Sequence, residues 1–318
     1  MSSKNTRRKV QTSLSSPEID IWSLDTNQMK KLMLEMYEEL ELLQILRIDS
    51  SCISRFLDAV EGYYHSNPFH NFRHSFCVTQ MMFVMIQELT LSKYFQPLEL
   101  AALLTACICH DLDHPGLNNT YQINAKTELA RRFRDKSPLE NHHAEMASCI
   151  LDDVNLFQHL SLSQQKEIKE DITFLILSTD MSRHNDILGQ FVAIADQFDF
   201  NNPRHRSICK SMLIKACDVS NECRPVNTSE KWVDCLLEEY FNQSDLEKSS
   251  GLPYAPHMDR DKVTKANSQV GFISAILIPM FQSLTRVFPS IETLLLKNLR
   301  EALSHYETQD QLKGDNTT

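Results

Sequence analysis

Apolar residues recur at helical spacing in one long segment after another, and this periodicity restricts the fold more than any other feature of the chain. In the segment from 26 to 43 the apolar face carries Met29, Leu32, Met33, Met36 and Leu40. Only 6 of the 318 residues are glycine, about 2% against a usual ~7%, which favours helices with short turns over strands. We therefore predict an all-α protein, long enough to form one large domain around its own core.

The same periodicity places helices and loops along the chain. Further helices are predicted over 51–64, 98–109, 142–153, 164–177, 207–219, 229–241 and 263–288. Asn67 and Pro68 look like the N-cap and first residue of another helix, and the polar stretch 111–135 is predicted to be a loop. The stretch 243–262 is the one most marked by glycine and proline, so we predict an ordered loop over a site there, with a mobile linker as the alternative.

Charge, cysteine content and hydropathy restrict where the chain works and what it binds. The net charge of −10 disfavours non-specific nucleic-acid binding, and an anionic substrate would need a local positive centre. The 9 cysteines form no Cys-x-x-Cys pair and lie mostly within apolar runs, so we predict a reducing compartment and a cytoplasmic location. The N-terminus lacks the apolar segment of a secretory signal. The longest apolar runs, 100–109 and 271–281, fall short of the roughly 20 residues that span a bilayer.

Histidine spacing gives the first indication of a site. With 12 histidines, about 0.5 pairs at a spacing of four are expected by chance. Two occur, His70 with His74 and His110 with His114. If a helix starts at Asn67, His70 and His74 share one face of its first turns. The second pair stands where an almost unbroken apolar helix ends in His-Asp-x-Asp-His, and burying such groups is costly unless they are paired or coordinated.

A carboxylate in an apolar run adds a third element to this pattern. Asp218 follows Met-Leu-Ile-Lys-Ala-Cys, where a hydrogen-bonded structural role is the more common explanation for a single aspartate. With His74, His110 and Asp111 it makes two imidazoles and two carboxylates. This donor set suits Zn²⁺ or a similar divalent ion with positions left for water. The spacing alone does not identify the metal.

Other polar residues have structural explanations that compete with a role in a site. Ser137 and Glu140 fit a capping box at the start of a helix, which would explain Glu140 without any site. Thr179, which follows an apolar run, fits either a helix end or an outer shell around a site. His142 and His143 are adjacent and cannot both face one direction, so at least one is predicted to be structural or exposed.

Six motifs resemble the catalytic domain of the class I 3′,5′-cyclic nucleotide phosphodiesterases. They are HNFRH, HDLDHPG, LENHH, ILSTDMSRH, KACDVSNE and QVGFI, in the same order and at similar separations. The resemblance covers residues 19–306, and within the family it is strongest with the cyclic-GMP-specific type 9 enzymes, through NPFHNFRH, GLNNTYQINAKTELA, WVDCLLEEYF and MDRDKVTKA. We therefore predict a disordered basic arm over 1–16, the catalytic domain over 17–308 and a polar tail over 309–318.

The resemblance implies a fold, a metal centre and a mechanism. The fold would be a bundle of about sixteen helices around a pocket with two ions. The ligands of the first ion, usually Zn²⁺, match His74, His110, Asp111 and Asp218. Asp111 and a hydroxide would bridge to the second ion, Mg²⁺ or Mn²⁺, whose waters are held by residues that match His114, Glu140 and Thr179. The hydroxide would attack phosphorus, and His70, which matches the general acid, would protonate the departing 3′-oxygen.

The resemblance also implies a nucleotide pocket. Gln269 matches the purine-binding glutamine and Phe272 the ring that stacks on the base, although periodicity alone makes Phe272 a core residue. The other matched pocket positions are Asn221, Glu222, Leu236 and Tyr240. His257 and Ser268 stand where the family implies phenylalanine and alanine. Because a glutamine amide can flip to serve either purine, the preference for cyclic GMP over cyclic AMP stays open.

Three alternatives to a cyclic-GMP phosphodiesterase are left open. A cyclic-AMP or dual-specificity enzyme would differ only in the purine pocket. Another hydrolase of the HD superfamily, such as a nucleoside triphosphate triphosphohydrolase, shares the His…His-Asp…Asp set but lacks HNFRH and Gln269. A non-catalytic nucleotide-binding module would show no turnover. The predicted partner is a small-molecule cyclic nucleotide in signal transduction, with no nucleic acid and no membrane span, and a homodimer is left open.

Overall fold

Helices account for the regular structure of the described chain. A computed structural model describes residues 14–315, and over that range there are fifteen α-helices and no strand, which confirms the predicted all-α class. They are α1 Thr26–Glu39, α2 Leu42–Ile45, α3 Ser50–Tyr63, α4 Phe72–Glu88, α5 Pro97–Cys109, α6 Asn119–Asn124, α7 Glu128–Phe133, α8 Pro138–Asp153, α9 Leu162–Leu177, α10 His184–Ala195, α11 Pro203–Asp218, α12 Val226–Ser249, α13 Lys265–Phe272, α14 Ile278–Thr285 and α15 Lys297–Asp315. The π-helical segments Ile273–Leu277 and Glu292–Leu296 lead into α14 and α15.

Several helices begin where the sequence supplies a cap. The Asp25 side chain accepts a hydrogen bond from the backbone N–H of Gln28, and the Gln28 side chain accepts from the backbone N–H of Asp25, each at 2.8 Å. Ser161 and Gln164 form the same reciprocal box at the start of α9. Proline stands at the start of α5, α8 and α11, where its missing N–H removes no helical hydrogen bond.

Three buried helices form the centre of the molecule, and their ends meet. Almost all of α4 and α5 and most of α11 are buried, and the three pack against one another. Helices that are apolar on nearly every face have to lie inside the fold. His74 lies in the first turn of α4, His110 follows the last residue of α5, and Asp218 ends α11. The packing of these helices therefore brings predicted metal ligands together.

The segment ahead of α4 is not helical, so the predicted helix start at Asn67 is wrong. The helix begins only after its N-cap, Asn71. The backbone N–H groups of residues 69 and 70 instead donate to the carboxylate of Glu239 at 3.0 and 3.1 Å. Because this partner is distant in the chain, the local sequence could not indicate it. His70 therefore stands outside the helix whose first turn carries His74.

The capping box predicted at Ser137 is also wrong. Ser137 has φ +40° and makes no cap hydrogen bond, and its hydroxyl donates to Asp180 at 2.6 Å. The side chain of Asn119, from another segment, makes two hydrogen bonds at the start of α8 instead. Its side-chain oxygen accepts from the backbone N–H of Leu139 at 3.0 Å, and its side-chain nitrogen donates to Glu140 at 2.8 Å. A capping residue from another segment leaves the Ser137 hydroxyl available for Asp180.

Two predicted loops are shorter in the structure than in the prediction. The stretch 111–135 contains α6 and α7, whose N-caps Asn118 and Thr127 accept backbone hydrogen bonds. Helix α12 continues to Ser249, so the loop predicted over 243–262 begins only at residue 250. Local turn residues marked both regions correctly, but tertiary packing extended the helices into them.

The two ends of the predicted domain also differ from their predicted boundaries. Residues 1–13 of the predicted arm lie outside the described residues, but Leu14 is fully buried. Gln80 donates to the carbonyls of Leu14 and Ser16 at 2.8 and 3.0 Å. Packed structure therefore begins before residue 17. At the other end α15 continues to Asp315, within the predicted polar tail.

One described helical stretch has the length and hydropathy of a membrane span. It is Lys265–Thr285, with 21 residues, a mean hydropathy of 1.2 and 39% of its apolar window buried inside the protein. A core helix of a folded domain meets the same test, so the stretch is weak evidence for a span.

Candidate active site

Four side chains from three chain segments converge where the central helices meet. One donor atom from each of four residues lies within 4.8 Å of the others; the residues are His74, His110, Asp111 and Asp218. The Nε2 atoms of His74 and His110 are 3.2 Å apart, and each lies 3.2 Å from Oδ1 of Asp218. Oδ2 of Asp111 is 3.1 Å from His110 Nε2 and 3.5 Å from His74 Nε2. The structure thus brings together all four predicted ligands, which we call the cation site.

The chemistry of the cation site fits a divalent ion. His110 donates its Nδ1 proton to the carbonyl of Cys107 at 2.9 Å, which leaves Nε2 directed at the cluster. Two imidazole nitrogens and two carboxylates this close in a buried place need a positive charge between them, because their lone pairs and charges repel. Zn²⁺ accepts nitrogen and oxygen donors in this combination. His74 Nδ1, in contrast, is buried without a hydrogen-bond partner.

The groups of the cation site shift one another's pKa. Burial raises the pKa of Asp111, but the neighbouring His110 more than offsets this and holds it well below its usual range. The pKa of Asp218 is lowered by the same balance of burial and His110. Burial lowers the pKa of His110, but the two carboxylates raise it well above its ordinary value. Both carboxylates are therefore ionised at neutral pH, which is the form that binds a cation.

His70 stands beside the cation site with a carboxylate behind its ring. Its Nδ1 hydrogen-bonds to Oε1 of Glu239, and Oε2 of Glu239 accepts from the His70 backbone N–H at 3.1 Å. Burial lowers the pKa of His70, but Glu239 raises it by more, so the pKa lies above its ordinary value. The ring is held with Nε2 pointing away from Glu239. Glu239 was not predicted, although its spacing of three from Leu236 places it on the predicted pocket face.

His114 packs face to face with His70 and is held by its own turn. The two ring centroids are 4.0 Å apart at 22°, and Asn67 donates to the carbonyls of both residues at 2.9 and 2.6 Å. His114 Nδ1 accepts from the Gly116 N–H at 3.0 Å. Gly116 has φ +72°, and a Cβ there would lie 3.1 Å from Asn67 Oδ1, so the turn requires glycine. Burial and the nearby His70 lower the pKa of His114 well below its ordinary value.

His143 is a second residue of the site that was not predicted. It is 1% exposed, its Nδ1 donates to the carbonyl of Leu112, and its Nε2 lies 3.9 Å from Asp111 Oδ1. Burial lowers the pKa of His143 to about 4, so a neutral ring stands behind Asp111. His142 turns away and contacts Asp113 at 2.7 Å. Only the packing of α8 shows which of the two adjacent histidines faces the site.

The predicted outer-shell residues Glu140 and Thr179 lie on α8 and just after α9, and a buried lysine on α11 holds the backbone at Thr179. Burial, assisted by Asp180, raises the pKa of Glu140 to about 7. The Thr179 hydroxyl donates to the carbonyl of residue 176 at 2.7 Å, as at a helix end. Lys215, which is 2% exposed, donates to the carbonyls of Thr179 and Asp180 at 3.3 and 3.1 Å. It lies on α11, one turn before Asp218.

The predicted pocket residues lie on α12, α13 and the turn Ser220–Cys223. Leu236, Tyr240 and Phe272 are partly buried. Three polar side chains are buried with one atom that has no hydrogen-bond partner: Asn221 Nδ2, Glu222 Oε2 and Gln269 Oε1. Burial raises the pKa of Glu222 to about 8. Unpaired buried polar atoms are costly, so they indicate a place for a ligand or water.

The two departures from the family pattern lie beside the predicted pocket residues. His257 is exposed in the loop after α12, and its ring meets that of Tyr240 edge to face, with centroids 6.4 Å apart at 78°. An aromatic contact is therefore kept where phenylalanine was expected. Ser268 is partly buried on α13, directly before Gln269.

Comparisons with known proteins identify the family of the chain. A family model described as 3'5'-cyclic nucleotide phosphodiesterase matches residues 69–299. The chain is 50% identical over 301 residues to the mouse (Mus musculus) high affinity cGMP-specific 3',5'-cyclic phosphodiesterase 9A, over 94% of this chain and 56% of the relative. The Homo sapiens protein of that name is 49% identical over 296 residues, 92% of this chain and 50% of the relative. The chain therefore spans about half the length of these curated relatives.

A solved structure shares the fold of nearly the whole chain. The phosphodiesterase domain of the RhoPDE fusion protein from the choanoflagellate Salpingoeca rosetta matches with a TM-score of 0.91 at 28% identity. The match covers 95% of this chain and 97% of that chain. The family match over residues 69–299 includes all four residues of the cation site.

Proposed function

The chain belongs to the 3′,5′-cyclic nucleotide phosphodiesterase family, and from this premise we propose that it hydrolyses a 3′,5′-cyclic nucleotide, in the first place cyclic GMP, to the 5′-monophosphate. The observation that carries the proposal is the convergence of two imidazoles and two carboxylates beside the His70–Glu239 pair. Hydrolysis of a cyclic phosphate needs a positive centre, an activated water and an acid for the leaving oxygen. The donor set and the paired histidine are suited to these three needs.

The cation site is assigned to Zn²⁺ and the remaining side of Asp111 to Mg²⁺ or Mn²⁺. The mixed imidazole and carboxylate donors support the first assignment. His114, Glu140 and Thr179 are the residues proposed to hold waters around the second ion, which prefers to keep several of them. When bound, the two ions would attract and polarise the cyclic phosphate and lower the pKa of a water, so that the water can attack phosphorus near neutral pH.

His70 is the proposed donor of the proton to the departing 3′-oxygen. Because Glu239 raises the pKa of His70 above its ordinary value against the effect of burial, the ring holds its proton to a higher pH than it would without this partner. The hydrogen bond from Nδ1 to Glu239 directs the opposite nitrogen away from that carboxylate. Asn67 and the stacked ring of His114 fix the same segment. The acid is thus oriented before substrate arrives, which lowers the entropy cost of reaction.

Gln269 and Phe272 are proposed to bind the purine. The Gln269 side-chain oxygen is buried without a partner, and a purine edge would satisfy it. Phe272 lies three residues later on the same helical face and offers a ring for stacking. Both curated relatives described above are named as cGMP-specific, which supports guanine. Since the amide can flip, guanine and adenine have to be compared directly.

The direct test is product analysis by ³¹P NMR with cyclic GMP and cyclic AMP in separate samples, each with Mg²⁺ and with a chelator. We expect metal-dependent conversion to the 5′-monophosphate and a higher kcat/KM for cyclic GMP. No turnover of either nucleotide by protein that contains metal would contradict the proposal. An equal or reversed kcat/KM ratio would contradict only the preference for cyclic GMP. A nucleoside triphosphate sample tests the HD-superfamily alternative.

A reducing, cytoplasmic setting is also proposed for the protein. Its nine cysteines are all free, and seven of them are buried, as in proteins that never form disulfides. Fractionation of cells that express the tagged chain tests this location, and recovery in a secreted fraction would contradict it. Light scattering on the purified chain decides whether it forms the homodimer left open above.

A further inference from the structure

Residues 14–24, which we call the N-terminal strap, lie across the first turns of two helices that build the site. Arg73, the residue before His74 on α4, donates from Nη1 to the carbonyls of Ile21 and Leu24. On the other side, Trp22 Nε1 donates to the carbonyl of Thr228 in the first turn of α12 at 3.1 Å. The strap therefore ties the start of α4 to the start of α12, the helix that carries Glu239.

Buried charge holds the strap in place. The Arg224 side chain is fully buried, and its guanidinium donates to the carbonyl of Pro17 at 3.1 Å, the carbonyl of Cys77 at 3.0 Å and Gln80 Oε1 at 2.8 Å. All three acceptors are neutral, so a buried guanidinium depends on the strap for one of its hydrogen bonds. Detaching the strap would leave this donor unsatisfied, which is costly inside a protein.

A row of aromatic rings leads from the strap to the cation site. The Trp22 and Trp232 ring centroids are 4.8 Å apart. Trp232 lies 5.4 Å from Phe69 and 6.0 Å from His74, and Phe69 lies 4.7 Å from His74 and 4.9 Å from His70. Only Trp22 in this row belongs to the strap, and it is partly buried, whereas Trp232 is 1% exposed.

His74 needs this packing because its second ring nitrogen, Nδ1, has no hydrogen-bond partner, although Nε2 lies 3.2 Å from Asp218. A histidine that binds a metal normally donates its second nitrogen to a carbonyl or carboxylate, which fixes the ring. His110 does so through Cys107, but Nδ1 of His74 is buried without a partner. On the Nδ1 side the ring of His74 is therefore held by packing against Phe69 and Trp232, and Trp22 packs against Trp232.

We propose that Trp22 is a positioning residue for the cation site, and that docking of the N-terminal strap and ion binding at His74 strengthen each other through Trp232 and Phe69. The inference rests on the proposed metal centre but does not require turnover of any nucleotide. Because coupling between two sites is reciprocal, an ion bound at His74 should also hold the strap more firmly.

The test compares Co²⁺ binding in Trp22→Ala and Trp22→Phe. Trp22 and Trp232 are the two tryptophans of the chain, so each variant leaves Trp232 as the single fluorophore beside the cation site. Co²⁺ quenches nearby tryptophan, and its dissociation constant can be read by titration of metal-depleted protein. We expect binding to weaken about 10-fold in Trp22→Ala and to stay within about twofold of wild type in Trp22→Phe, as for other residues that support a ligand.

Enzymatic activity provides the second readout. Trp22→Ala should lower kcat about 10-fold at unchanged KM. Tyr94→Ala is the control, because it removes a ring stack on Phe200 beyond the far end of α4. It should leave kcat unchanged. If Trp22→Ala does not fold, Trp22→Leu keeps volume without a ring and carries the same comparison. Equal Co²⁺ affinity in the Ala (or Leu) and Phe variants would overturn the coupling but not the metal centre. If neither the wild type nor any variant binds Co²⁺, the metal centre and the coupling are both contradicted.

Discussion

The histidines around the cation site differ in what holds the second nitrogen of the ring. A backbone carbonyl accepts from Nδ1 of His110 and of His143, which directs Nε2 of each ring toward Asp111. A carboxylate holds Nδ1 of His70, which favours the doubly protonated ring. The first arrangement suits a cation ligand or a neutral neighbour, and the second suits a proton donor. One hydrogen bond thus gives the same residue type different chemistry.

Glu239→Gln should separate the acid from the rest of the site. The amide keeps the shape of the side chain but removes the charge that raises the pKa of His70, so His70 should lose its proton at lower pH. In steady-state assays across pH, we expect kcat at neutral pH to fall roughly 10²-fold. The decline of kcat with rising pH should begin at a lower pH than in the wild type. Glu238→Gln, at an exposed neighbour, is the control. An unchanged pH profile would show that Glu239 does not set the protonation of His70.

Glu222 should make the stability of the fold depend on pH. Burial raises its folded-state pKa to about 8 from an ordinary 4.5, with Lys265 opposing. Between these values the folded chain keeps a proton that the unfolded chain has lost, so stability falls as pH rises through this range. Glu222→Gln should remove this pH-dependent loss of unfolding free energy, which is on the order of a few kcal/mol. Urea unfolding at about pH 5 and pH 8 measures it. The same pH dependence in both proteins would contradict the raised pKa.

At the scale of helices, the extent of an apolar helix could be predicted from the sequence, but helix starts that depend on distant partners could not. The helix predicted over 98–109 is Pro97–Cys109 in the structure, because an apolar repeat needs no knowledge of its surroundings. The start of α4 and the cap of α8 were wrong, since their partners Glu239 and Asp180 lie 169 and 43 residues away. The four residues of the cation site were found from their chemistry. His143 required the packing of α8 to be known.

Two buried lysines on α11 form a matched pair for testing the site. Lys215 donates to the backbone of residues 179 and 180, whereas Lys210 pairs with Asp171 and Glu99. Lys215→Met should displace the turn that carries Thr179. We expect the Mg²⁺ concentration for half-maximal activity to rise about 10-fold, with weaker Mn²⁺ binding by electron paramagnetic resonance.

Lys210→Met should lower Tm without changing the Mg²⁺ requirement, because its partners Asp171 and Glu99 are not among the residues of the site. The comparison separates a general loss of stability from an effect on ion binding. If both variants need the same Mg²⁺ concentration as wild type, Lys215 has no part in positioning the outer shell.

At the scale of the molecule, the cation site joins α4, α5 and α11, so an ion should stabilise the whole fold. An ion present at 1,000 times its Kd and bound only by folded protein adds about 4 kcal/mol. Chelation should therefore lower Tm by roughly 5–10 °C in calorimetry, and added Zn²⁺ or Mg²⁺ should restore it. A Tm that does not respond, in protein shown to have lost its metal, would argue against a site that links these helices.

The class of the fold was easier to predict than its arrangement. Periodicity is a local property, and it indicated helices along the chain. The contacts that arrange those helices are not local: the guanidinium of Arg224 reaches the carbonyl of Pro17 across 207 residues. The strap was missed for this reason, and Leu14 to Ser16 were placed in a disordered arm.

The residues of the site are far apart in the order in which a ribosome adds them. His74 comes first, His110 and Asp111 follow, and Asp218 completes the donor set 144 residues after His74. Glu239, which holds the His70 ring, is added later still. A premature stop before Asp218 would leave a product without the complete donor set, however well its helices form. A nascent chain therefore cannot assemble the four-residue donor set until Asp218 has been added, and a product that stops before Asp218 lacks the complete cation site.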